Sequence, residues 1–174
     1  MGATERAKLG IFLSLQNIPE IPGVKLSEYL RTIYNERLKR EKPDTKAITP
    51  FIFRRFLKPF LAKLHIPEAF LDRDLNVGFS GGEKRRIEML QIELLEPKIV
   101  IVDEIDSGLD IEAFRDVVDA LAAIKHPDRT IIVITHNYRM AEQLSPDEVV
   151  LLSAGKIEKI GGVELLKQFE TEGF

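Results

Sequence analysis

Cysteine is absent from this 174-residue chain. That excludes a disulfide framework, and with it thiolate ligands for zinc or for a protein-bound iron–sulfur cluster. Histidine is scarce too. His65, His126 and His136 are the three in the sequence, too scattered for a local metal motif, so no structural metal is expected. No apolar run approaches the roughly 18 residues that would mark a membrane-spanning helix, and the opening M-G-A-T-E-R-A-K lacks the apolar stretch of a secretory signal. Together with the missing cysteines this gives a cytoplasmic expectation, with no transmembrane segment. Positive charge is not in excess either. A net charge of -3 and a pI near 5.7 leave no broad basic footprint, so nucleic acid is not an expected partner. The local clusters Lys84-Arg85-Arg86 and Arg37 to Lys42 read as solvated helix faces. Internal repeats and low-complexity tracts are also lacking.

What is present is enough to fold. With 44% hydrophobic and 30% charged residues, the chain can bury a real core, as one domain or as a core piece plus a small subdomain. Leu9 to Leu15 reads as a short strand broken only by Ser14, delivering Gln16 at its end. Two β-branched runs, Ile99 to Val102 and Thr130 to Ile134, fit strands buried on both faces of a parallel sheet. Between the first strand and these runs the pattern is helical. Leu26 to Arg40 shows an apolar face with Ser27 able to cap, and Pro43 ends it. Thr49-Pro50 restarts a helix that carries Ile52, Phe53, Phe56, Leu57, Phe60, Leu61 and Leu64, with Pro59 expected to kink or divide it near Lys58. A short piece at Pro67 to Leu71 follows, so residues 24–75 read as a helical insertion. Downstream, helices are expected over Ile111 to Ile124, Tyr138 to Leu144 and Val163 to Glu170, with a β-hairpin formed by Glu148 to Leu152 and Lys156 to Ile160. Strand–helix alternation of this kind indicates an α/β sheet.

Several polar residues stand where chemistry is usually done. Asp103 and Glu104 follow the Ile99 strand directly, and in open α/β sheets ligands bind just outside the carboxyl ends of the strands. Asp can hold Mg²⁺ against a phosphate and Glu can orient or deprotonate water. A strand capped by two solvated acids is the plain alternative. Gln16 precedes a loop with Asn17, Pro19, Pro22 and Gly23, a connector able to change conformation; it can sense a phosphate or metal, or be an ordinary loop residue. Ser80 and Glu83 form an S-x-x-E capping box. The glycines between them, Gly81 and Gly82, leave backbone N–H groups open to an anion at a helix start. Asp110 reads as an N-cap. His136 follows the Thr130 strand and faces the same edge as Glu104.

Taken in order, these residues resemble the nucleotide-binding domain of the ABC ATPases. Gln16 matches the family's Q-loop, F-S-G-G-E at Phe79 to Glu83 its signature loop, I-V-I-V-D-E at Ile99 to Glu104 its Walker B strand, S-G-L-D at Ser107 to Asp110 its D-loop, and His136 its switch histidine. Five weak motifs in one order are far more specific than any alone. Within the family, E-I-P-G-V at Glu20 to Val24 and N-V-G-F-S-G-G-E-K-R-R at Asn76 to Arg86 are similar to the SufC-like ATPases of iron–sulfur cluster assembly. The resemblance implies the C-terminal part of an α/β P-loop NTPase core with an inserted α-helical subdomain. Residues 1–16 and 97–174 would be the partial core, and 17–96 the helical subdomain with Q-loop and signature loop.

It also implies roles. Glu104, His136 and Gln16 would be catalytic, Asp103 and Gln16 would face Mg²⁺, and Ser80, Gly81, Gly82, Glu83 and Asp110 would face ATP. Suf scaffold proteins (SufB/SufD-like) and a second copy of the chain would be the partners. One departure outweighs any match. A P-loop needs G-x-x-x-x-G-K-S/T, whose backbone N–H groups and lysine cradle the phosphates, and no such run occurs here. The Gly-Lys pair at Gly155-Lys156 is followed by Ile157 and lies in the expected hairpin. Residue 1 corresponds to a point shortly before the family's Q-loop, so the chain taken alone is expected to be inactive.

Overall fold

Local sequence signals and long-range pairing divide the work of building this protein, whose computed structural model describes residues 1–105 and 111–167. The D-loop residues Ser107 to Asp110, the Asp110 cap and the last residues of the closing helix lie outside them. A short helix, α1 (Ala3–Lys8), leads into β1 (Ile11–Ser14), and β2 (Ile21–Lys25) follows. Next come α2 (Leu26–Glu41), α3 (Pro50–Lys63), a 3₁₀ turn (Glu68–Asp72) and the two-residue β3 (Asp74–Leu75). The second half runs α4 (Gly81–Leu95), β4 (Ile99–Asp103), α5 (Ile111–Ala123), β5 (Thr130–Ile134), α6 (Tyr138–Leu144), β6 (Val149–Ser153) and β7 (Lys156–Gly161).

β1, β4 and β5 form a parallel sheet in that spatial order. Its register sets Phe12, Val100 and Ile131 in one row and Leu13, Ile101 and Ile132 in the next. Because strand side chains alternate, consecutive rows face opposite sides. The Phe12 row and the following Ser14–Val102–Val133 row face the main core, where Val100 and Val102 are fully buried among α4, α5 and α6 residues such as Leu90, Leu121 and Met140. The other side is open. Leu13, Ile132 and Ile134 are each about half exposed, at 51%, 46% and 48%. Burial on both faces, expected from the β-branched runs, is therefore met on one face only, because the described helices pack on one side of the sheet.

Three further expectations are corrected. Ser27 is not the cap of α2; the N-cap is Lys25, and the first helical N–H, on Leu26, is satisfied by the Arg73 carbonyl at 2.9 Å. Pro59 does not divide its helix, since α3 continues across it to Lys63. Proline there removes one ladder donor, yet it sits on the exposed side while Phe53, Leu57 and Leu61 bury the opposite face. Third, the connector after Gln16 is not plain loop, because β2 pairs antiparallel with β3. The expected hairpin forms as β6 and β7 around Ala154 and Gly155, both at positive φ, 48° and 77°, the geometry of a type I′ turn.

Candidate functional site

Parallel strands in register bring their carboxyl ends to one edge, and that edge collects the polar residues. Asp103 ends β4 opposite Ile134, the last residue of β5. Glu104 comes next, with its N–H donating to the Ile134 carbonyl at 2.9 Å and its backbone at φ 44°. A left-handed backbone at a residue other than glycine is strained by about 1–2 kcal/mol. Here it turns the carboxylate toward the end of β1. There the Gln16 Nε2 donates to Glu104 Oε2 at 2.6 Å, while His136, two residues past β5, places Nδ1 at 3.7 Å from the other oxygen, Oε1. Gln16, Glu104 and His136 thus meet, and Asp103 adjoins them in the chain.

Ser80 to Glu83 occupy a different place, the start of α4. The capping box is fully formed. Glu83 N–H donates to Ser80 Oγ at 3.2 Å and Ser80 N–H donates to Glu83 Oε2 at 2.7 Å. Before it, the Arg73 guanidinium lies 3.9 Å from the Phe79 ring centroid and 5.1 Å from that of Phe70, and donates to the carbonyls of Val77 and Gly78. This cation–π stack fixes the loop that presents the helix start.

What joins the two places was not foreseen, because Lys84-Arg85-Arg86 reads in sequence as a solvated basic face. Instead, Arg85 is only 3% exposed. Its guanidinium donates to Ser14 Oγ (3.1 Å), the Leu15 carbonyl (2.7 Å), Glu88 Oε2 (2.7 Å) and the Gln16 carbonyl (2.9 Å). Ser14 Oγ in turn donates to Glu88 Oε2 at 2.8 Å. Burial pushes the Glu88 carboxyl above its ordinary range, with Arg85 and Ser14 pulling the other way. The neighbouring cations are paired too, Lys84 with Glu20 at 2.8 Å and Arg86 with Asp116 at 2.8 Å. Likewise Arg37, of the other basic cluster, is held by Glu41, Glu96 and the Leu94 carbonyl. Two signals pointed this way: Ser14 as the polar break in an apolar strand, and Glu88 inside the apolar run I-E-M-L-Q-I.

More ties hold the segment after Gln16. The buried Asn76, at φ 62°, donates to the Pro19 carbonyl at 2.9 Å. Asp74 accepts from Lys25 and from the Gly23 N–H, contacts that hold its carboxyl below the ordinary range. Residues 16–25 are thereby laced to residues 73–88.

The donor set at the strand ends suits a hard cation. Among the described residues no three His, Asp or Glu side chains group tightly enough to enclose a metal. Mg²⁺ in general keeps several waters and is held by one or two carboxylates plus substrate phosphates.

No protein-family model matches the chain. A dimeric ATP-binding cassette in a post-hydrolysis state with ADP and phosphate superposes with a TM-score of 0.71 at 18% identity, covering 94% of this chain and 68% of that one. The ATP-binding subunit of an ABC transporter does so at 0.72 and 23%, covering 99% and 67%. The fold is therefore that of an ABC ATPase, an α/β core of the P-loop NTPase class. In sequence, an ATP-dependent transporter of Synechocystis, slr0075, is 44% identical over 98% of this chain and 66% of its own. The corresponding values are 42%, 98% and 67% for ycf16 of Pyropia yezoensis, and 40%, 98% and 68% for SufC of Escherichia coli. The chain belongs to the ABC ATPase family, in the group of SufC and ycf16 proteins. It spans about two thirds of these relatives' length, 66% for the Synechocystis protein.

Proposed function

We propose that the chain supplies the Walker B, Q-loop, signature and switch elements of a SufC-like ATPase that binds and hydrolyses MgATP to drive iron–sulfur cluster assembly. The observation that carries this reading is the meeting of Gln16, Glu104 and His136 at one sheet edge, with Gln16 Nε2 at 2.6 Å and His136 Nδ1 at 3.7 Å from the Glu104 carboxylate. In this reading Asp103 faces Mg²⁺, which when bound offsets the phosphate charge and polarises the γ-phosphoryl group. Glu104 takes or orients the proton of the attacking water, and Gln16 fixes that carboxylate's direction. His136, exposed at 76% of its side chain, reaches toward the γ-phosphate. Ser80, Gly81 and Gly82 present hydroxyl and N–H donors to a nucleotide held by a second ATPase subunit, the N-terminal end of α4 favouring the anion. Residues 17–96 act as the helical subdomain, and 1–16 with 97–174 as the core. Suf scaffold proteins and a second ATPase subunit are the proposed partners.

The second reading is an interaction module that docks on Suf scaffolds or on a complete ATPase subunit without hydrolysing ATP. One experiment separates the two. The chain is assayed alone and with a SufC P-loop segment supplied upstream. ATP hydrolysis is expected only with the segment, falling at least about 100-fold in Glu104→Gln, the lower end of what a general base contributes. No hydrolysis even with the segment would leave the interaction module standing.

A further inference from the structure

The buried Arg85 has a geometry that neither burial nor charge balance requires. A guanidinium can be satisfied by one carboxylate and water; this one is fully desolvated, and two of its acceptors are the successive carbonyls of Leu15 and Gln16. Those carbonyls flank the point where the chain leaves the sheet, immediately before the side chain that meets Glu104. Glu88 and Ser14 fix the guanidinium from the other side, and all three side chains are nine-tenths buried or more. Because Arg85 and Glu88 belong to α4, whose first turn carries Ser80 to Gly82, the same contacts reach from the signature helix to the Gln16 backbone.

We propose that Arg85, held by Glu88 and Ser14, is a positioning residue that fixes the Gln16 backbone so that its side-chain amide meets Glu104, and thereby ties the signature helix to that carboxylate. Three other ties run parallel to it: Asn76 to the Pro19 carbonyl, Lys84 to Glu20, and Asp74 to Lys25 and Gly23. Arg85 is the tie at Gln16 itself. It touches neither Glu104 nor His136 in the bonds described, so it acts through the residue it holds. The inference rests on the reading that Gln16 and Glu104 form one site.

The test follows the Gln16 side-chain amide of the whole ¹⁵N-labelled chain by NMR at one fixed neutral pH, each variant being compared with and without Glu104→Ala. The resonance is expected at a different position in Glu104→Ala than in wild type, and that Glu104-linked shift reports the contact between the amide and the carboxylate. Arg85→Met is expected to lose the Glu104-linked shift while keeping helix content by circular dichroism; Arg85→Lys, still able to pair with Glu88 and reach one carbonyl, retains part of it. A merely structural arginine would lower the melting temperature without uncoupling the Gln16 amide. A folded Arg85→Met that keeps the full shift overturns the proposal. If Arg85→Met does not fold, Ser14→Ala decides: it removes one acceptor from Arg85 and one donor to Glu88, so a diminished shift supports the proposal and an undiminished one overturns it. A wild-type amide indifferent to Glu104→Ala would overturn the underlying site reading as well, an outcome distinct from failure of Arg85 alone.

Discussion

Glu88 is a carboxylate whose neighbours pull it in opposite directions. Burial raises its proton affinity, whereas the Arg85 guanidinium and the Ser14 hydroxyl favour the ionised form, and burial is the larger effect. The sign for stability follows from linkage. With the folded-state value raised above the ordinary 4.5, the folded chain holds the proton more tightly than the unfolded chain does. This contribution is fully present below 4.5 and is lost as pH rises through the folded value. Urea unfolding across that window should therefore show Glu88→Gln, which cannot titrate, with a flatter pH dependence than wild type. An equally steep dependence in the variant would assign the slope to other groups. This cluster is hard to read from sequence because Ser14 and Glu88 are 74 positions apart, and Ser14 and Arg85 71. Hydrophobic periodicity is a local signal and says nothing about which distant polar residues will share a pocket.

At the scale of elements, the strands β1, β4 and β5 and most of the helices were legible, since each is written in its own run of residues. The candidate site was legible to the same extent: Gln16, Glu104 and His136 each end a readable strand, and parallel pairing alone brings such ends together. Where reading failed, tertiary context overrode local rules. β3 has two residues and β2 contains Pro22 and Gly23, so neither carries a strand signature, and their pairing depends on packing against α2. Likewise, α3 survives Pro59 because Phe53, Leu57 and Leu61 are almost fully buried. Burying such side chains contributes about 1.5–3 kcal/mol each, comparable to the roughly 3 kcal/mol that an interior proline costs relative to alanine. Removing that cost should be visible. Pro59→Ala is expected to raise unfolding stability by about 1–2 kcal/mol, part of the helical gain being cancelled by the freer unfolded chain. Guanidinium titration followed by circular dichroism measures it, and a destabilised variant would mean that Pro59 itself contributes to packing.

For the molecule as a whole, the open side of the parallel sheet is the dominant liability. Leu13, Ile132 and Ile134 lie exposed on it, while the hairpin exposes Val150, Leu152, Ile157 and Ile160. Apolar surface of this kind is covered by a partner or by self-association. The chain alone is therefore expected to associate with rising concentration in light scattering. Leu13→Lys combined with Ile132→Glu should shift it toward monomer without loss of helix content. A wild-type chain that stays monomeric at high concentration would show the face to be tolerated in water. No described helix is long and apolar enough to cross a membrane.

The left-handed backbone at Glu104 also bears on how such a chain drifts under mutation. Glycine tolerates that conformation without a Cβ clash, and asparagine tolerates it better than most residues do. A lineage that needed only a docking surface would gain stability by drifting to either one. In this chain the strained position carries glutamate, whose carboxylate meets Gln16 and lies beside His136.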